Sequence, residues 1–292
     1  MNLQSGTKSN DEILFIQRKL KSLTQISFDE KCIKTFYLPL LQSIKNKKNI
    51  MIAGSQGSGK SSLAHLISAY LKKYYSKNSV VISLDDFYLS KNLRIKLSKK
   101  IHPLFLSRGV PGTHDIESLL NKFQLLTKKV FPVYLPIFDK VKDTRKRSYK
   151  KICKADVIIL EGWCVGARPI SNQYLYKNIN NLETFQDPYF KWRNNYNNYL
   201  SSYQKIFSKF NFFIYLQFND WKSIIEWKYK QELRLRYKKK DLSLKKYLSE
   251  FIQYYEKISR WMYIKSPHDC QLLIKIDKDQ KIKQIKWPQK VT

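Results

Sequence analysis

Residues 50–62 read Ile50-Met51-Ile52-Ala53-Gly54-Ser55-Gln56-Gly57-Ser58-Gly59-Lys60-Ser61-Ser62. A short apolar run ends at Gly54, and four residues later comes Gly59-Lys60-Ser61. This fits the phosphate-binding pattern G-x-x-x-x-G-K-[ST] without a mismatch. The glycines permit left-handed or crowded backbone, so successive N–H groups turn inward around a β-phosphate. Lys60 adds a positive charge near the β- and γ-phosphates, and the Ser61 hydroxyl is placed to ligate Mg²⁺. The helix expected over 61–73 points the positive end of its dipole at the same anion. A strand before the loop and a helix after it tie the chain to an α/β fold. Residues 54–62 are therefore the candidate site for a nucleoside triphosphate.

Composition bounds the rest. A chain of 292 residues, 43% hydrophobic, has enough apolar material for one large α/β domain with an insertion or a lid. No apolar run approaches the ~18 residues of a membrane span. The N-terminal stretch carries Asp11 and Glu12 and lacks the apolar core of a signal peptide. Cys32, Cys153, Cys164 and Cys270 lie far apart with no C-x-x-C, which reads as reduced thiols in a cytoplasmic protein. The formal charge of +32 would suit nucleic acid or an anionic surface. The lysines are spread along the whole chain, however, and Lys, Asn, Ile and Tyr are all abundant, as an A+T-rich coding sequence would give. Nucleic acid is thus the lesser expectation, and a basic surface that draws in ATP the greater. Of the 8 glycines, 7 fall in three clusters, at 54, 57 and 59, at 109 and 112, and at 162 and 166. A chain so poor in glycine keeps it where backbone meets ligand or needs positive φ.

Residues 1–45 read as a helical segment packed outside the sheet, and 46–292 as the main domain. Strands are expected at 49–53, 80–84, 156–160, 212–218 and 272–276. The second ends in Asp85-Asp86-Phe87-Tyr88, which puts two carboxylates at the carboxyl edge of an open sheet, where ligands bind. A helix-capping role competes for Asp85, and more evenly for Asp86. The third ends in Glu161, four apolar residues and then an acid, as in a strand that orients Mg²⁺ or its water. Between them, about 90–150, lies an insertion expected to bind the acceptor. It holds Arg108-Gly109-Val110-Pro111-Gly112-Thr113-His114-Asp115, with Thr113 or Asp115 as cap of a helix over 116–128. It also holds Asp139-Lys140 and a charged turn at 143–147. The stripe Tyr189, Trp192, Tyr196, Tyr199, Tyr203 has helical spacing and reads as core. Residues 221–260 form a basic helical region, including Arg234, Arg236 and Lys238–Lys240, of the kind that closes over a nucleotide as a lid.

Taken in order, these segments resemble the P-loop kinases related to phosphoribulokinase, uridine kinase and pantothenate kinase. Within that group they look most like D-glycerate 3-kinases of the plant and cyanobacterial type. The likeness runs from about residue 36 to 277. It rests on the loop, on Ser83-Leu84-Asp85-Asp86-Phe87-Tyr88-Leu89, on Arg108 to Asp115, on Leu135-Pro136-Ile137-Phe138-Asp139-Lys140, and on Leu160-Glu161-Gly162-Trp163-Cys164-Val165-Gly166. The resemblance implies a three-layer α/β/α sandwich on a five-stranded, mainly parallel sheet of order 2-3-1-4-5 with a helical lid. It implies ATP and Mg²⁺ as donor and cofactor, and D-glycerate as acceptor. Asp85 would accept or orient the hydroxyl proton, and Glu161 would support Mg²⁺ directly or through water. Asp86, Tyr88, Arg108, His114, Asp115, Asp139 and Arg145 would line the acceptor site, with Arg236 reaching the transferred phosphoryl group. Ile137 and Lys228 stand where some relatives carry arginine, and Asp143-Thr144-Arg145 where some have two aspartates. These departures leave two alternatives open: another small acceptor of the uridine or pantothenate kind, and a nucleic-acid-dependent ATPase.

Overall fold

The apolar runs expected as strands all join one sheet: β1 (Asn49–Gly54), β2 (Ser79–Ser83), β3 (Val157–Gly162), β4 (Phe212–Gln217) and β5 (Leu272–Ile276). The protein is seen here as a computed structural model. It describes the backbone of residues 3–218, 220–236 and 242–287, and the side chains of all these except 3–9, 234–236 and 242. The strand order is β2-β3-β1-β4-β5, all parallel, so the sheet is an α/β one of the 2-3-1-4-5 kind. It carries a sixth strand, β6 (Ile282–Lys286), antiparallel on β5, where five strands were expected. That strand reads Ile-Lys-Gln-Ile-Lys and is mostly exposed, so it lacks the continuous apolar run that marks its buried neighbours.

Alternate residues of each central strand feed two separate cores. Ile50 and Ile52 of β1 face one, with Ile159, Ile214 and Leu272. Met51 and Ala53 face the other, with Ile82, Leu160 and Leu273. The first core is covered by α1 (Leu3–Thr24), by the helical run Glu30–Ser43, and by α2 (Lys60–Tyr75). α1 seats Ile13, Ile16 and Leu20 there. The helical run widens to a π-turn at Ile33–Tyr37 just before Pro39, whose missing N–H breaks the α-helical ladder.

The insertion contains α3 (Lys91–Lys100), capped by Ser90 and not expected from sequence, and α4 (Ile116–Thr127), capped by the Asp115 carboxylate on the Ser118 N–H. The second core is closed by α4, by α5 (Lys191–Phe207) and by the C-terminal helix. The stripe on α5 buries Trp192, Tyr196 and Tyr203 at 1% exposure, but Tyr189 precedes the helix and is 87% exposed. The basic region resolves into α6 (Trp221–Arg236), α7 (Leu242–Phe251) and α8 (Gln253–Asp269). Lys238–Lys240 lie outside the described residues.

Under α5 and α8 sits a fully buried charge cluster. Arg193 donates to the Asp187 carboxylate at 2.9 Å and lies 3.5 Å from Glu183, which also takes Lys257 at 3.2 Å. Two cations and two acids balance, and Arg193 spends further N–H groups on the Leu175 and Asp187 carbonyls and on Asn178. Removing one partner strands a charge out of water, which costs about 3–5 kcal/mol. Arg193→Leu is therefore expected to lose about 3–5 kcal/mol in urea unfolding, with little change in slope. A loss below about 1 kcal/mol would show that the cluster behaves as a solvated pair.

Candidate active site

β1, β2 and β3 end on the same edge, and their register fixes what meets there. Ile52 lies level with Glu161, and Glu161 in turn with Ser83. The loop after β1, the turn after β2 and the acid ending β3 therefore converge. The loop packs against the base of α6: a Cβ on Gly57, whose φ is +76°, would sit 2.7 Å from the Trp227 Cβ. Its polar groups are left over. The Ser55 and Ser58 hydroxyls and both amide atoms of Gln56 are buried without a hydrogen-bond partner. The Lys60 ammonium, itself buried, donates to the Ser55 carbonyl at 2.7 Å. Burial draws it down to about 8, against the opposing pull of Glu161 and Asp85. Orphaned donors and a desolvated cation at the start of a long helix suit an anion that has yet to arrive.

A cavity of about 820 Å³ opens at this edge, within the range of nucleotide and substrate sites. Gln56, Gly57, Ser58, Gly59, Lys60, Ser61 and Ser62 line it, as do Asp85, Tyr88, Arg108 and Glu161. Gly54 and Ser55 instead close the loop from behind, in a small hollow shared with Trp163 and Trp221. Asp85 Oδ2 accepts from the Lys140 ammonium at 2.6 Å. Burial pushes the Asp85 carboxyl up, but Lys140 beside it, with Lys60, more than offsets this and holds it below the usual carboxylate range. Arg108 spreads its guanidinium over the Phe138 ring and pairs with Asp143.

Five residues expected on the acceptor wall do not reach it. Asp86 turns away and accepts the Phe138 N–H at 3.0 Å. Asp115 is spent as the α4 cap and as partner of Arg145 at 3.0 Å. Arg145 braces the Phe87 and Tyr88 carbonyls. Asp139 folds onto the Val141 and Lys142 N–H groups of its own turn. His114 is buried behind Tyr88, stacked on its ring at 4.3 Å, with Nδ1 on the Tyr203 hydroxyl at 2.8 Å. Burial pulls its imidazole down to about 3, so it is neutral. Asp86, Asp115, Arg145 and His114 hold the Asp85–Tyr88 turn in place, and Asp139 its own turn, rather than touch a ligand. The Arg234 and Arg236 side chains lie outside the described residues.

Sequence reasoning missed four contributors to the cavity. Lys140 was legible only as the last residue of the Phe138-Asp139-Lys140 segment. Lys228, on α6, lines the wall and pairs with Glu232 at 2.7 Å. Tyr255 of α8 lines it too and donates to the Arg108 carbonyl at 3.2 Å. The helical segment before β1, which showed no chemistry, supplies Leu20, Leu23, Ile26, Phe28 and Tyr37 as an apolar wall. An apolar stripe that serves both core and cavity has no separate mark in sequence.

Known proteins agree with this geometry. Residues 37–89 match the Zeta toxin family. The chain is 28% identical over 250 residues to the uncharacterized kinase mug58 of Schizosaccharomyces pombe, spanning 76% of this chain and 86% of that one. It is 24% identical over 257 residues to the chloroplastic D-glycerate 3-kinase of Arabidopsis thaliana, spanning 79% of this chain and 53% of that one. Over 39% of its length it is 33% identical to half of a uridine kinase from Lactobacillus helveticus. In structure it superposes on a D-glycerate 3-kinase from Cryptococcus neoformans with a TM-score of 0.67 at 22% identity, covering 96% of this chain and 98% of that one, a likeness of fold. The relatives do not single out the plant type of glycerate kinase. Together with the loop, these matches make the chain similar to the P-loop kinases of the group related to the uridine and pantothenate kinases.

Proposed function

We propose that this kinase phosphorylates a small anionic alcohol, D-glycerate foremost, giving 3-phosphoglycerate and ADP. The observation that carries the reading is a single cavity bounded by the phosphate loop and by an ionised Asp85, with Lys140 on that acid and Arg108 on the same cavity wall. A carboxylate-bearing acceptor needs cationic donors of this kind, and a neutral nucleoside does not. The Arabidopsis relative, named a D-glycerate 3-kinase, supports the same acceptor. The uridine kinase match covers only 39% of the chain, so it speaks to the donor side.

In the reaction, a bond forms between the acceptor oxygen and the γ-phosphorus, and the bond from that phosphorus to the β-bridging oxygen breaks, releasing ADP. The acceptor hydroxyl proton passes to Asp85. Phosphoryl transfer runs through a loose transition state, so Asp85 needs to orient the hydroxyl more than to be a strong base. Its low pKa is compatible with that task. Lys60 and the loop N–H groups hold the phosphates. Ser61 and Glu161 would hold Mg²⁺, directly or through water. When bound, Mg²⁺ neutralises charge on the β- and γ-oxygens. Lys228, on the cavity wall, would approach the transferred group.

ADP release measured with D-glycerate, uridine and pantothenate in turn tests the acceptor. Turnover is expected with D-glycerate, and turnover only with a nucleoside would overturn the choice. Lys60→Ala and Asp85→Asn should each lower kcat by about 10²–10⁴-fold in proteins of unchanged fold. An Asp85→Asn enzyme of near-normal rate removes that residue from proton transfer. Arg108→Ala should raise the acceptor KM at least about tenfold, the worth of one charge-assisted contact, and leave the ATP KM nearly fixed. Equal effects on both would contradict its place on the acceptor side.

His114 gives a contrasting outcome. Its folded pKa, about 3, lies below the ordinary 6.5, so the unfolded chain binds the proton first. Its stabilising contribution is whole above pH 6.5 and is lost as pH falls toward 3. His114→Gln should keep the acceptor KM within about threefold, and the stability gap to the wild type should narrow by about 2 kcal/mol between pH 6.5 and 5. A gap independent of pH would mean the imidazole already titrates normally in the fold.

A further inference from the structure

We infer that Lys140 is the positioning residue of Asp85: it ties down Oδ2 so that Oδ1 alone faces the acceptor hydroxyl. This rests on the kinase reading above and adds to it a residue that neither the loop nor the acids imply. Among the described residues no hydrogen bond reaches Asp85 Oδ1, whereas Oδ2 takes the Lys140 ammonium at 2.6 Å. A carboxylate on a short turn is free to rotate about its last bond, so fixing one oxygen fixes the other.

The segment carrying Lys140 is built to deliver it. Phe138–Asp139 pairs with Thr144–Arg145 as a two-residue ladder, too short to be stable by itself. It is pinned instead to the turn after β2 and to the insertion. Phe138 N–H goes to Asp86, Arg145 goes to the Phe87 and Tyr88 carbonyls and to Asp115, and Asp143 goes to Arg94 and Arg108. Arg94 is 1% exposed and also donates to the Leu89 and Leu106 carbonyls, so this anchor is rigid. Asp139, Asp143 and Arg145 are thereby consumed, and of residues 137–146 only Lys140 lines the cavity.

A purely structural pair is a poor account of this arrangement. Lys140 and Asp85 remain 39% and 25% exposed, and pairs that wet contribute about 0–1 kcal/mol. So elaborate a mount serves geometry rather than stability. Lys60 from α2, His114 from the loop before α4, Lys228 from α6 and Arg108 also bear on Asp85 or its partner. The Asp86 carboxyl, the Tyr88 and Tyr255 hydroxyls and the Cys164 thiol lie near enough to feel its charge. Removing Lys140 takes away the one cation in hydrogen-bond contact and leaves the burial, so the carboxyl should titrate higher.

The test compares Lys140→Met, Lys140→Arg and Asp85→Asn with the wild type, using whichever acceptor turns over best. For Lys140→Met, kcat/KM for that acceptor should fall about 10–100-fold, the loss expected when a reacting group is misplaced. The dissociation constant of a fluorescent ATP analogue should stay within about twofold. The acid limb of the kcat/KM profile should move up by about one pH unit or more, and Lys140→Arg should recover part of both changes. A Lys140→Met enzyme with an unshifted acid limb and kcat/KM within about threefold of normal overturns the inference. If Asp85→Asn is nearly as active as the wild type, the proton-acceptor role fails and the Lys140 inference falls with it. If Asp85→Asn is inactive and the Lys140→Met profile is unshifted, only the inference fails.

Discussion

The parallel pairing of β1 with β3 sets every distance that matters in this molecule. With Ile52 level with Glu161 and Ala53 with Gly162, both strands run out at one edge, one into the phosphate loop and the other into an acid. β2, pairing on the far side of β3 with Ser83 level with Glu161, brings Asp85 to the same edge. Each strand is held by ladder hydrogen bonds and by side chains buried on both faces, so the register has no freedom to slip. A shift of one residue would exchange the two cores and move the three chemical groups apart.

The cavity at this edge is furnished with cations, and four of them are held by a protein partner. Lys60 leans on the Ser55 carbonyl, Lys140 on Asp85, Arg108 on Asp143 and Lys228 on Glu232. Held this way the charges are aimed before a ligand arrives, and little reorganisation remains for the moment of reaction. The partners also keep four positive groups in one small volume from repelling one another apart. Burial weakens the hold on Lys60's proton most, and an incoming phosphate would restore it.

Around the cavity, a ring of polar residues holds the site without lining it. Asp86, Arg94, Asp115, Asp143 and Arg145 lock a two-stranded hairpin to the turn after β2, and His114 with Tyr203 supports Tyr88 from beneath. Gly112 belongs to this support. A Cβ there would lie 2.3 Å from the Tyr199 ring, so only glycine lets α5 come close enough for Tyr203 to accept the Gly112 N–H. The segment from Arg108 to Asp115 is thus mainly a brace, with Arg108 as its contribution to the cavity wall.

The sequence alone determined the phosphate loop, the strands that bury both faces and the acid after each of two of them, because those features depend on local backbone geometry and on unbroken apolar runs. It was blind to β6, whose alternation of polar residues is that of an edge, and to the cavity wall lent by α1 and the run after it, where core and site share one stripe. Only the tertiary structure decided which charged residues face the ligand. Asp85 and Asp86 are neighbours on a single 3₁₀ turn, Leu84–Phe87, where successive side chains point about 120° apart. One therefore looks into the cavity and the other into the hairpin. No reading of residue types separates such a pair, since the direction each carboxylate takes is set by the hairpin that packs against that turn from 52 and 55 residues away.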